Sequence, residues 1–291
     1  MNSNPHPPGS PSHAAEMAAA ERFGFGANWA RFLRHLDAAR IDAAEQSLER
    51  MLGLPSLQNL RFLDVGSGSG LFSLAASRLG ARVHSFDYDP QSVACTRFLR
   101  ERHANERGEP VDKVDWLVEE GSVLDKAYLA GLGQFDVVYS WGVLHHTGRQ
   151  WDAIDNASSL VRPHGRLFIA IYNDQGLPSR WWTGVKRLYN RHPLFRWPLI
   201  VLYTPWLVCA RWLYRQLAGL GKVGRGMTLW YDMIDWLGGY PFEVARPEEV
   251  FRFLHARGFE LREMTTAGGT AGCNEFVFER MHEAQSHQVP R

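Results

Sequence analysis

The sequence predicts an α/β fold in which helices flank a mostly parallel, seven-stranded sheet. A helical extension precedes the sheet, and a helical insertion follows the fifth strand. Two observations lead to this prediction. Short apolar segments alternate with stretches of helical periodicity along most of the chain. In addition, residues 60–90 contain a strand, a glycine turn, a helix and a second strand in direct succession, which is typical of parallel βαβ units.

The glycine turn lies in the segment LDVGSGSGLFSL. The mostly apolar residues 60–65 form the expected first strand and continue directly into Gly66, Gly68 and Gly70. Glycine allows backbone conformations that other residues avoid, and it leaves no side chain between the chain and a ligand. Apolar residues at helical spacing follow the turn, and Gly80 ends the predicted helix.

An acidic residue ends the second predicted strand. Residues 82–86 form this strand, Asp87 follows it, and Asp89 is a favourable N-cap for a helix at 91–102. A glycine turn with an acid at the end of the next strand is the usual arrangement for a nucleotide cofactor, whose ribose hydroxyls bind the carboxylate. The spacing D-x-G-x-G-x-G differs from the dinucleotide fingerprint G-x-G-x-x-G, which disfavours a nicotinamide-linked oxidoreductase.

The same spacing resembles the first motif of the class I S-adenosylmethionine-dependent methyltransferases. The resemblance implies a Rossmann-like core, S-adenosyl-L-methionine as the cofactor, and two closing strands that form an antiparallel hairpin. The cofactor-binding residues that it implies are Asp64, Gly66, Ser67, Gly68, Gly70, Asp87, Tyr88, Ser122, Val123, Ser140 and Trp141. The family commonly has an acid at the position of Ser122. Adenine recognition is therefore expected to use the backbone, the serine hydroxyl and apolar contact from Val123.

A second family motif follows the fourth predicted strand, residues 134–140. The segment WGVLHHT resembles the family's leucine-histidine-histidine sequence, which implies that His145 faces the methyl acceptor and that His146 packs against the cofactor turn. Tyr172 is a third candidate catalytic residue, because it ends a fifth strand that is expected after a turn at 162–165. Since the sulfonium of the cofactor already activates the methyl group, the protein has to align the acceptor, exclude water and remove a proton, for which histidine is suited.

The recognisable motifs span residues 62–172, and within the family they are most similar to the ubiquinone-biosynthesis-type small-molecule methylases. Those enzymes act on hydroxyl groups of polyprenylated aromatic compounds and contact membranes. The resemblance therefore implies O-methylation of a small or lipid-like acceptor, by in-line methyl transfer with histidine-assisted deprotonation. Methylation of RNA or peptide, or a non-catalytic S-adenosylmethionine-binding protein, are the alternatives. No metal site is expected, because Asp, Glu and His do not recur at ligand spacing.

The segment 175–231 contains no Asp or Glu, but it has nine Lys or Arg and eleven aromatic residues. Tryptophan and tyrosine mixed with arginine suit a peripheral membrane contact, an anionic acceptor, or stacking on RNA. A helical lid whose aromatic residues simply pack on the core also explains this composition. The uncharged run 197–210 contains Pro198 and Pro205, which makes it too short and too broken for a membrane-spanning helix.

Five residues are candidate substrate contacts, although packing or solvation explains each of them as well. They are Trp29, Asn173, Asp174, Tyr240 and Glu243. Asn173 and Asp174 follow the fifth strand, at the edge of the sheet where ligands of parallel sheets bind. Trp29 belongs to the extension, which often covers cofactor and substrate in the resembled family. Tyr240 and Glu243 lie in a polar and aromatic stretch ahead of a short helix.

The composition of the chain predicts how it divides into segments and where in the cell it is found. The predicted segments are a disordered tail at 1–15, a helical extension at 16–53, a cofactor-binding core at 54–174, a basic aromatic insertion or lid at 175–245, a closing helix and strands at 246–281, and a tail at 282–291. The proline- and serine-rich start does not resemble a signal peptide. Three widely spaced cysteines indicate a reducing, cytoplasmic location, with peripheral membrane contact left open. A net charge of +1 gives no reason to expect nucleic acid, and the oligomeric state is not predicted.

Overall fold

The computed structural model describes residue 15 and residues 22–54, 56–191, 193–205, 229–268 and 272–281. All seven predicted strands lie within these ranges, together with the helices that pack on the sheet. The predicted tails at 1–15 and 282–291 lie outside the described residues, apart from Ala15, and so do residues 206–228 of the predicted insertion.

A single sheet forms the centre of the molecule. Its strands are β1 (Arg61–Val65), β2 (Arg82–Asp87), β3 (Trp116–Glu120), β4 (Phe135–Trp141), β5 (Val161–Tyr172), β6 (Phe259–Thr265) and β7 (Cys273–Arg280). They are arranged in the order β3-β2-β1-β4-β5-β7-β6. The first five strands pair in parallel, whereas β7 is antiparallel to both β5 and β6. The predicted Rossmann-like, mostly parallel sheet is therefore confirmed.

Helices cover both faces of the sheet and form the extension and the insertion. The helices before β5 are α1 (Gly26–Leu33), α2 (Ala38–Leu52), α3 (Leu71–Arg78), α4 (Pro90–Arg107), α5 (Lys126–Ala130) and α6 (Gln150–Ser159). The helices that the structure describes after β5 are α7 (Leu177–Arg191), α8 (Pro193–Thr204), α9 (Leu229–Gly238) and α10 (Pro247–His255). Helices thus stand both in front of the sheet and after its fifth strand, as the sequence predicts.

The strands direct alternate side chains into two separate apolar cores. In β1, Phe62 belongs to one core and Leu63 and Val65 to the other, because successive strand residues point to opposite faces. Helices α1 to α4 cover the first core, and α5, α6 and α10 cover the second. Since both faces of the sheet are buried, its parallel strands are almost continuous apolar runs, and this makes them recognisable in the sequence.

The insertion has an apolar core of its own. The buried residues of this third core are Trp182, Val185, Tyr189, Leu199, Ile200, Met233, Leu237 and Phe242. Tyr172 at the end of β5 and Phe23 of the extension pack against it. The insertion is therefore attached at the carboxyl edge of the parallel sheet, where ligands of such sheets bind.

Three element boundaries differ from the predictions. Residues 162–165, predicted as a turn, lie within β5, whose pairing with β4 shifts register there and where His164 has a φ of 60°. Helix α4 continues to Arg107 because its C-cap, Gly108, has a left-handed φ of 67°. The first part of the polar and aromatic stretch, up to Gly238, is helical and belongs to α9.

The described helices are short. In the part of the chain that the structure describes, no helix has both the length and the apolar composition that crossing a bilayer requires. Helix α8 contains Pro198 and has 12 residues. The apolar residues in the described part of the insertion are therefore arranged in short helices that pack against one another.

Candidate functional site

The glycine turn between β1 and α3 forms one side of the candidate cofactor site. Gly66, Gly68 and Gly70 have positive φ angles of 77°, 56° and 82°, a region that residues with side chains avoid. A Cβ atom on Gly66 would lie 2.6 Å from Val143 Cγ2, and one on Gly68 would lie 3.1 Å from the Trp29 indole. Both the backbone conformation and the close neighbours therefore require glycine in this turn.

Two side chains of the predicted cofactor motif bind neighbouring elements of the protein. The hydroxyl of Ser67 lies 2.9 Å from that of Thr96 on α4. Asp64 Oδ2 accepts a 2.5 Å hydrogen bond from Ser73 Oγ on α3, and Ser73 Oγ lies 2.7 Å from Ser85 Oγ on β2. These buried hydrogen bonds hold the glycine turn between α3 and α4.

The carboxyl group of Asp64 is 2% exposed and is therefore poorly hydrated. Burial raises its pKa to about 7, although the hydrogen bond from Ser73 lowers it, and the negative charge of Asp87 raises it further. Burial and the neighbouring negative charge both disfavour the charged form of a carboxyl group. A positively charged ligand beside the turn would favour ionisation of Asp64.

Replacing Asp64 with asparagine is expected to stabilise the protein near pH 8 but not near pH 4. A carboxyl group whose pKa rises from 3.8 to about 7 on folding binds its proton more tightly in the native state. Its contribution to stability therefore falls as the pH rises through this range. Asparagine removes that loss, which is on the order of 4 kcal/mol. Thermal unfolding at both pH values measures the difference, and an equal difference at the two pH values would contradict the prediction.

Asp87 connects the glycine turn to the start of α4. Its Oδ2 accepts a hydrogen bond from Gly68 N and its Oδ1 one from Asp89 N, both at 2.9 Å. Asp89 in turn caps α4 through Gln91 N and accepts a 2.9 Å bond from Gly26 N. Burial raises the pKa of Asp87 to about 6, although its two backbone hydrogen bonds lower it. A carboxylate has further lone pairs, so Asp87 can still accept hydrogen bonds from ligand hydroxyls.

The N-terminal segment, residues 22–29, contacts several parts of this site. The Arg22 guanidinium lies 4.9 Å from the ring centre of Tyr88, and its Nη1 donates a 3.0 Å hydrogen bond to the His146 carbonyl. The indole of Trp29 lies against Gly68. Trp29, predicted as a substrate contact, is thus placed beside the cofactor turn.

The predicted adenine-side residues follow β3. Gly121 N donates a 3.0 Å hydrogen bond to the Asp87 carbonyl, so Ser122 lies next to the end of β2. The Ser122 hydroxyl accepts a 3.2 Å bond from Leu124 N. Val123 is 6% exposed and packs in the second core of the sheet. The structure therefore brings Ser122 and Asp87 to the same edge of the sheet.

Ser140 and Trp141 end β4, the strand beside β1. The fully buried Ser140 hydroxyl donates a 2.9 Å hydrogen bond to the Val65 carbonyl, immediately before the glycine turn. Trp141 Nε1 donates a 3.1 Å bond to Glu275 Oε1 on β7. Ser140 therefore supports the turn from the neighbouring strand, and Trp141 is oriented by the antiparallel end of the sheet.

The three predicted catalytic residues form one group, here called the histidine cluster: His145, His146 and Tyr172. The two imidazole ring centres are 4.5 Å apart, and that of His145 is 4.0 Å from the Tyr172 ring. Tyr172 N donates a 3.3 Å hydrogen bond to His145 Nδ1, whereas His146 Nδ1 lies 2.6 Å from the Pro241 carbonyl oxygen. His146 also packs on Phe25 of the extension, at 5.1 Å between ring centres.

Both imidazoles are strongly biased towards the neutral form. Burial is the main cause: it lowers the pKa of His145 well below its usual value and that of His146 to about 3. The hydrogen bond with Pro241 opposes the shift of the His146 pKa, whereas the charge of Lys186 lowers the pKa of both histidines. Neutral imidazole has one nitrogen lone pair, so either ring is in a form that can accept a proton.

A crevice, here called the aromatic crevice, lies between the end of β5 and the insertion. It is narrow and leaves no room for a water molecule between its walls, and its lining residues are Tyr172, Asn173, Gln175, Ser179, Trp182, Trp236 and Phe242. The Tyr172 ring centre is 5.5 Å from that of Trp236 and 5.1 Å from that of Phe242. Because Tyr172 belongs to both, the crevice adjoins the histidine cluster.

Of the other predicted substrate contacts, Asn173 lines the crevice and Asp174 does not belong to its lining among the described residues. Asn173 Oδ1 accepts a 3.1 Å hydrogen bond from Asn274 Nδ2. Asp174 Oδ1 accepts a 2.8 Å bond from Gly176 N, and its Oδ2 is 3.7 Å from Arg246 Nε. Asn173 is therefore available at the crevice, whereas Asp174 stabilises the start of the insertion.

Tyr240 and Glu243 hold the loop that follows α9. The Tyr240 carbonyl accepts a 2.9 Å hydrogen bond from Phe23 N, and its hydroxyl accepts a 3.4 Å bond from Arg187 Nε. The Glu243 carboxylate accepts hydrogen bonds of 3.1 and 3.2 Å from Gln150 N, at the first residue of α6. Glu243 thus acts as an N-terminal cap of α6, and burial raises its pKa.

Lys186 is a candidate functional residue that sequence analysis missed. It is fully buried, its Nζ donates to the Trp236 carbonyl, and it lies 4.4 and 4.6 Å from the ring centres of Trp236 and Phe242. The signal was helical spacing, because Lys186 shares the inward face of α7 with Trp182 and Tyr189. A lysine between Trp182 and Tyr189 on a buried helix face is unusual enough to have marked this position.

The site fits S-adenosylmethionine on physical grounds. Val143 lies beside Gly66 and the Trp29 indole beside Gly68, so a ligand at the turn would meet the glycine backbone together with these two side chains. Asp87 stands at the end of the adjacent strand with a carboxylate that suits ribose hydroxyls. The glycine turn, Asp87 and the loop after β3 could therefore hold the nucleoside, with the histidine cluster beyond β4.

Comparison with known proteins agrees with this geometry. Residues 63–167 match the family model described as "Methyltransferase domain". A ubiquinone biosynthesis O-methyltransferase of Xanthomonas euvesicatoria pv. vesicatoria is 32% identical over 177 residues, which are 60% of this chain and 67% of that protein.

Two solved structures share the fold. An O-methyltransferase family protein from Burkholderia thailandensis aligns with a TM-score of 0.51 at 15% identity, over 92% of this chain and 67% of that chain. The 1,6-didemethyltoxoflavin-N1-methyltransferase of the same species, with bound S-adenosylhomocysteine, aligns with a TM-score of 0.50 at 14% identity, over 96% of this chain and 93% of that chain. At such low identity, these two likenesses concern the fold alone.

Proposed function

Because this chain belongs to the class I S-adenosylmethionine-dependent methyltransferases, we propose that it methylates an oxygen atom of a small aromatic or lipid-like acceptor. The methyl donor of the family is S-adenosyl-L-methionine. The observation that carries the proposal is that Tyr172 belongs both to the aromatic crevice and to the histidine cluster. An acceptor that enters the crevice by moving its walls apart would therefore lie beside neutral imidazoles that can take its proton.

The lining of the crevice favours a flat, largely apolar acceptor. Trp182, Trp236 and Phe242 supply aromatic walls, and Asn173 supplies a polar group on the side of the sheet. Small-molecule sites are typically built in this way, from apolar walls and a few polar groups that set orientation. The name of the Xanthomonas relative, an O-methyltransferase of ubiquinone biosynthesis, independently favours a hydroxyl group as the acceptor.

The cofactor supplies, when bound, a methyl group on positively charged sulfur. The residues of the chain have three tasks around it. Asp87 and the glycine turn bind and orient the nucleoside, and the histidine cluster receives the proton of the acceptor. The described helices of the insertion, α7, α8 and α9, pack against Tyr172 at the end of β5, and as a lid they would limit access of water to the crevice.

Methyl transfer from labelled S-adenosylmethionine tests this proposal. The enzyme is incubated with separated lipid, small-molecule, peptide and RNA fractions, and label is expected in a phenolic or other hydroxyl compound of the first two. The Asp87→Ala variant serves as the control for cofactor-dependent labelling. Label in RNA or peptide would replace the proposed acceptor class, and cofactor binding without transfer to any fraction would favour a non-catalytic protein.

We further propose that the outer faces of α7 and α8 bind an anionic membrane surface. Several large apolar side chains on these helices are at least 65% exposed: Leu177, Trp181, Leu194, Trp197, Val201 and Leu202. The exposed cations Arg180, Arg187, Arg191 and Arg196 lie on the same two helices, and residues 175–205 contain no acidic residue. Tryptophan with arginine suits the boundary between lipid headgroups and acyl chains, and the net positive charge specifies anionic lipid.

Replacing Trp197 with serine is expected to weaken binding to anionic phospholipid vesicles by about tenfold. The change removes an aromatic side chain that is 70% exposed and could be buried in the membrane interface. Each loss of about 1 kcal/mol in the free energy of binding lowers the affinity several-fold. Vesicle co-sedimentation measures the binding. Phe98→Ser is the control, because Phe98 is 53% exposed on α4 and should not affect binding. Equal loss in both variants, or self-association in place of vesicle binding, would contradict the membrane proposal.

A further inference from the structure

We propose that His146, and not His145, is the general base of the histidine cluster, and that Lys186 positions it through the end of α9. The inference rests on the proposed function, because it concerns the proton of a hydroxyl acceptor. It differs from the sequence prediction, in which His145 faces the acceptor. The hydrogen bonds of the two imidazoles are what distinguish them.

The bond to Pro241 determines which nitrogen of His146 carries a proton. His146 Nδ1 lies 2.6 Å from the Pro241 carbonyl oxygen, and a carbonyl oxygen can only accept a hydrogen bond. The proton of the neutral ring is therefore on Nδ1, and the lone pair is on Nε2. His146 also keeps 7% of its surface exposed. Its Nε2 is consequently the nitrogen that can receive a proton.

His145 is the opposite tautomer, with its proton on Nε2 and its lone pair on Nδ1. Its Nδ1 accepts a 3.3 Å hydrogen bond from the backbone N–H of Tyr172, so Nδ1 has the lone pair and Nε2 carries the proton. Among the described residues this buried Nε2 has no hydrogen bond of normal geometry, although the Ala170 backbone interacts with the ring and raises its pKa. His145 is fully buried as well. It can accept a proton only by breaking its bond to the end of β5, and it therefore serves to position Tyr172.

Lys186 and Asn190 hold the element from which the Pro241 carbonyl projects. Lys186 Nζ donates to the Trp236 carbonyl, and Asn190 Nδ2 donates a 2.7 Å bond to the Gly238 carbonyl. These carbonyls belong to the last turn of α9, where a cation and a side-chain donor stabilise the otherwise unpaired acceptors. Pro241 follows three residues after Gly238. The position of α9 therefore sets the distance between the Pro241 carbonyl and His146.

The electrostatic surroundings of His146 keep its ring neutral before the reaction. Lys186 of α7 and Arg22 of the N-terminal segment place positive charge near the buried ring, and both charges also weaken it as a base. Glu243 of the following loop directs its carboxylate to the N-terminus of α6. In the reaction step, the O–H bond of the acceptor breaks, its proton goes to His146 Nε2, and the electron pair stays on the oxygen that becomes the nucleophile. The proton passes to water after product release.

The tautomers can be measured without any acceptor. Two-bond proton–nitrogen correlation spectra of the ¹⁵N-histidine-labelled enzyme, with S-adenosylhomocysteine bound, are expected to show His146 protonated on Nδ1 and His145 on Nε2. In Lys186→Met, the His146 signals should change to a mixture of tautomers, and Lys186→Arg should largely restore them. Reversed tautomers in the unmodified enzyme, or unchanged His146 signals in Lys186→Met, would overturn the inference.

Kinetics with the acceptor found by the labelling experiment complete the test. His146→Gln should lower kcat by about 10²- to 10⁴-fold with unchanged affinity for S-adenosylhomocysteine. Lys186→Met should lower kcat roughly 10- to 100-fold without changing that affinity. The exposed His255 on α10 provides the control His255→Gln, which should behave like the unmodified enzyme. A greater kcat loss in His145→Gln than in His146→Gln would assign the base to His145. If no hydroxyl compound is methylated, the proposed function fails while the tautomer measurement still stands.

Discussion

Replacing Gly66 with alanine is expected to abolish cofactor binding and to lower the free energy of unfolding by about 3 kcal/mol. Part of this cost is conformational, because Gly66 has a φ of 77°, where alanine is strained. The rest is steric. The new methyl group would lie 2.6 Å from Val143 Cγ2 and closer still to Cγ1. Val143 precedes the two histidines, so any relief of the overlap moves the turn away from the loop after β4.

Calorimetric titration with S-adenosylhomocysteine and thermal unfolding measure the two effects of Gly66→Ala. Gly108→Ala is a matched control, because Gly108 has a φ of 67° and no atom lies within 4 Å of its added Cβ. Gly108→Ala introduces the same kind of backbone strain as Gly66→Ala but no steric overlap. It is expected to lower the free energy of unfolding by about 1 kcal/mol and to bind the ligand normally. Normal binding by Gly66→Ala would show that the turn is not part of the cofactor site.

The second large effect is expected from Asp87→Ala, which should weaken binding of S-adenosylhomocysteine by about 100-fold. The carboxylate accepts hydrogen bonds from Gly68 N and Asp89 N, both at 2.9 Å. We propose that its remaining lone pairs accept hydrogen bonds from the ribose hydroxyls of the cofactor. Hydrogen bonds to a charged group contribute roughly 1.5 kcal/mol each, and two of them account for about two orders of magnitude. The loss should appear in the dissociation constant measured by calorimetry.

The pH dependence of binding provides a second test of Asp87. Burial raises the pKa of its carboxyl group to about 6, so the acceptor form predominates above that pH and is lost as the pH falls through it. Affinity should therefore decrease below about pH 6 in the unmodified protein, and this decrease should be smaller in Asp87→Ala. The helix cap Asp37→Ala loses the bond from Arg40 N and the ion pair with the Arg40 side chain, both far from the glycine turn, and as the control it should retain full affinity. An unaltered pH profile in Asp87→Ala would argue against a ribose contact.

Features that depend on neighbouring residues could be predicted from the sequence. The turn at Gly66, Gly68 and Gly70 is one, because positive φ angles and close approach restrict those positions to glycine. The strands of the sheet are another, since burial on both faces requires continuous apolar runs. The register of β5 at residues 162–165 was not predictable in the same way, because it depends on pairing with β4.

Contacts between distant parts of the chain could not be read from the sequence. Glu243 lies against the first residue of α6, 93 positions earlier, where it caps a helix. Trp29 lies against Gly68 rather than in the aromatic crevice. Lys186 is buried against α9, although its residue type alone suggests solvent exposure. In each case the partner is brought close by packing, and residue type and local spacing do not identify it.

Local sequence was therefore sufficient to establish the α/β sheet, the methyl-donor motif and the family, because each depends on backbone conformation and on short-range spacing. Only the tertiary structure could show that Tyr172 joins the histidines to an aromatic crevice, and that the two imidazoles have different hydrogen-bond partners. The physical reason is that a tautomer, a pKa and a pocket are determined by atoms a few ångströms away in space. For His146 those atoms belong to Pro241, 95 residues further along the chain.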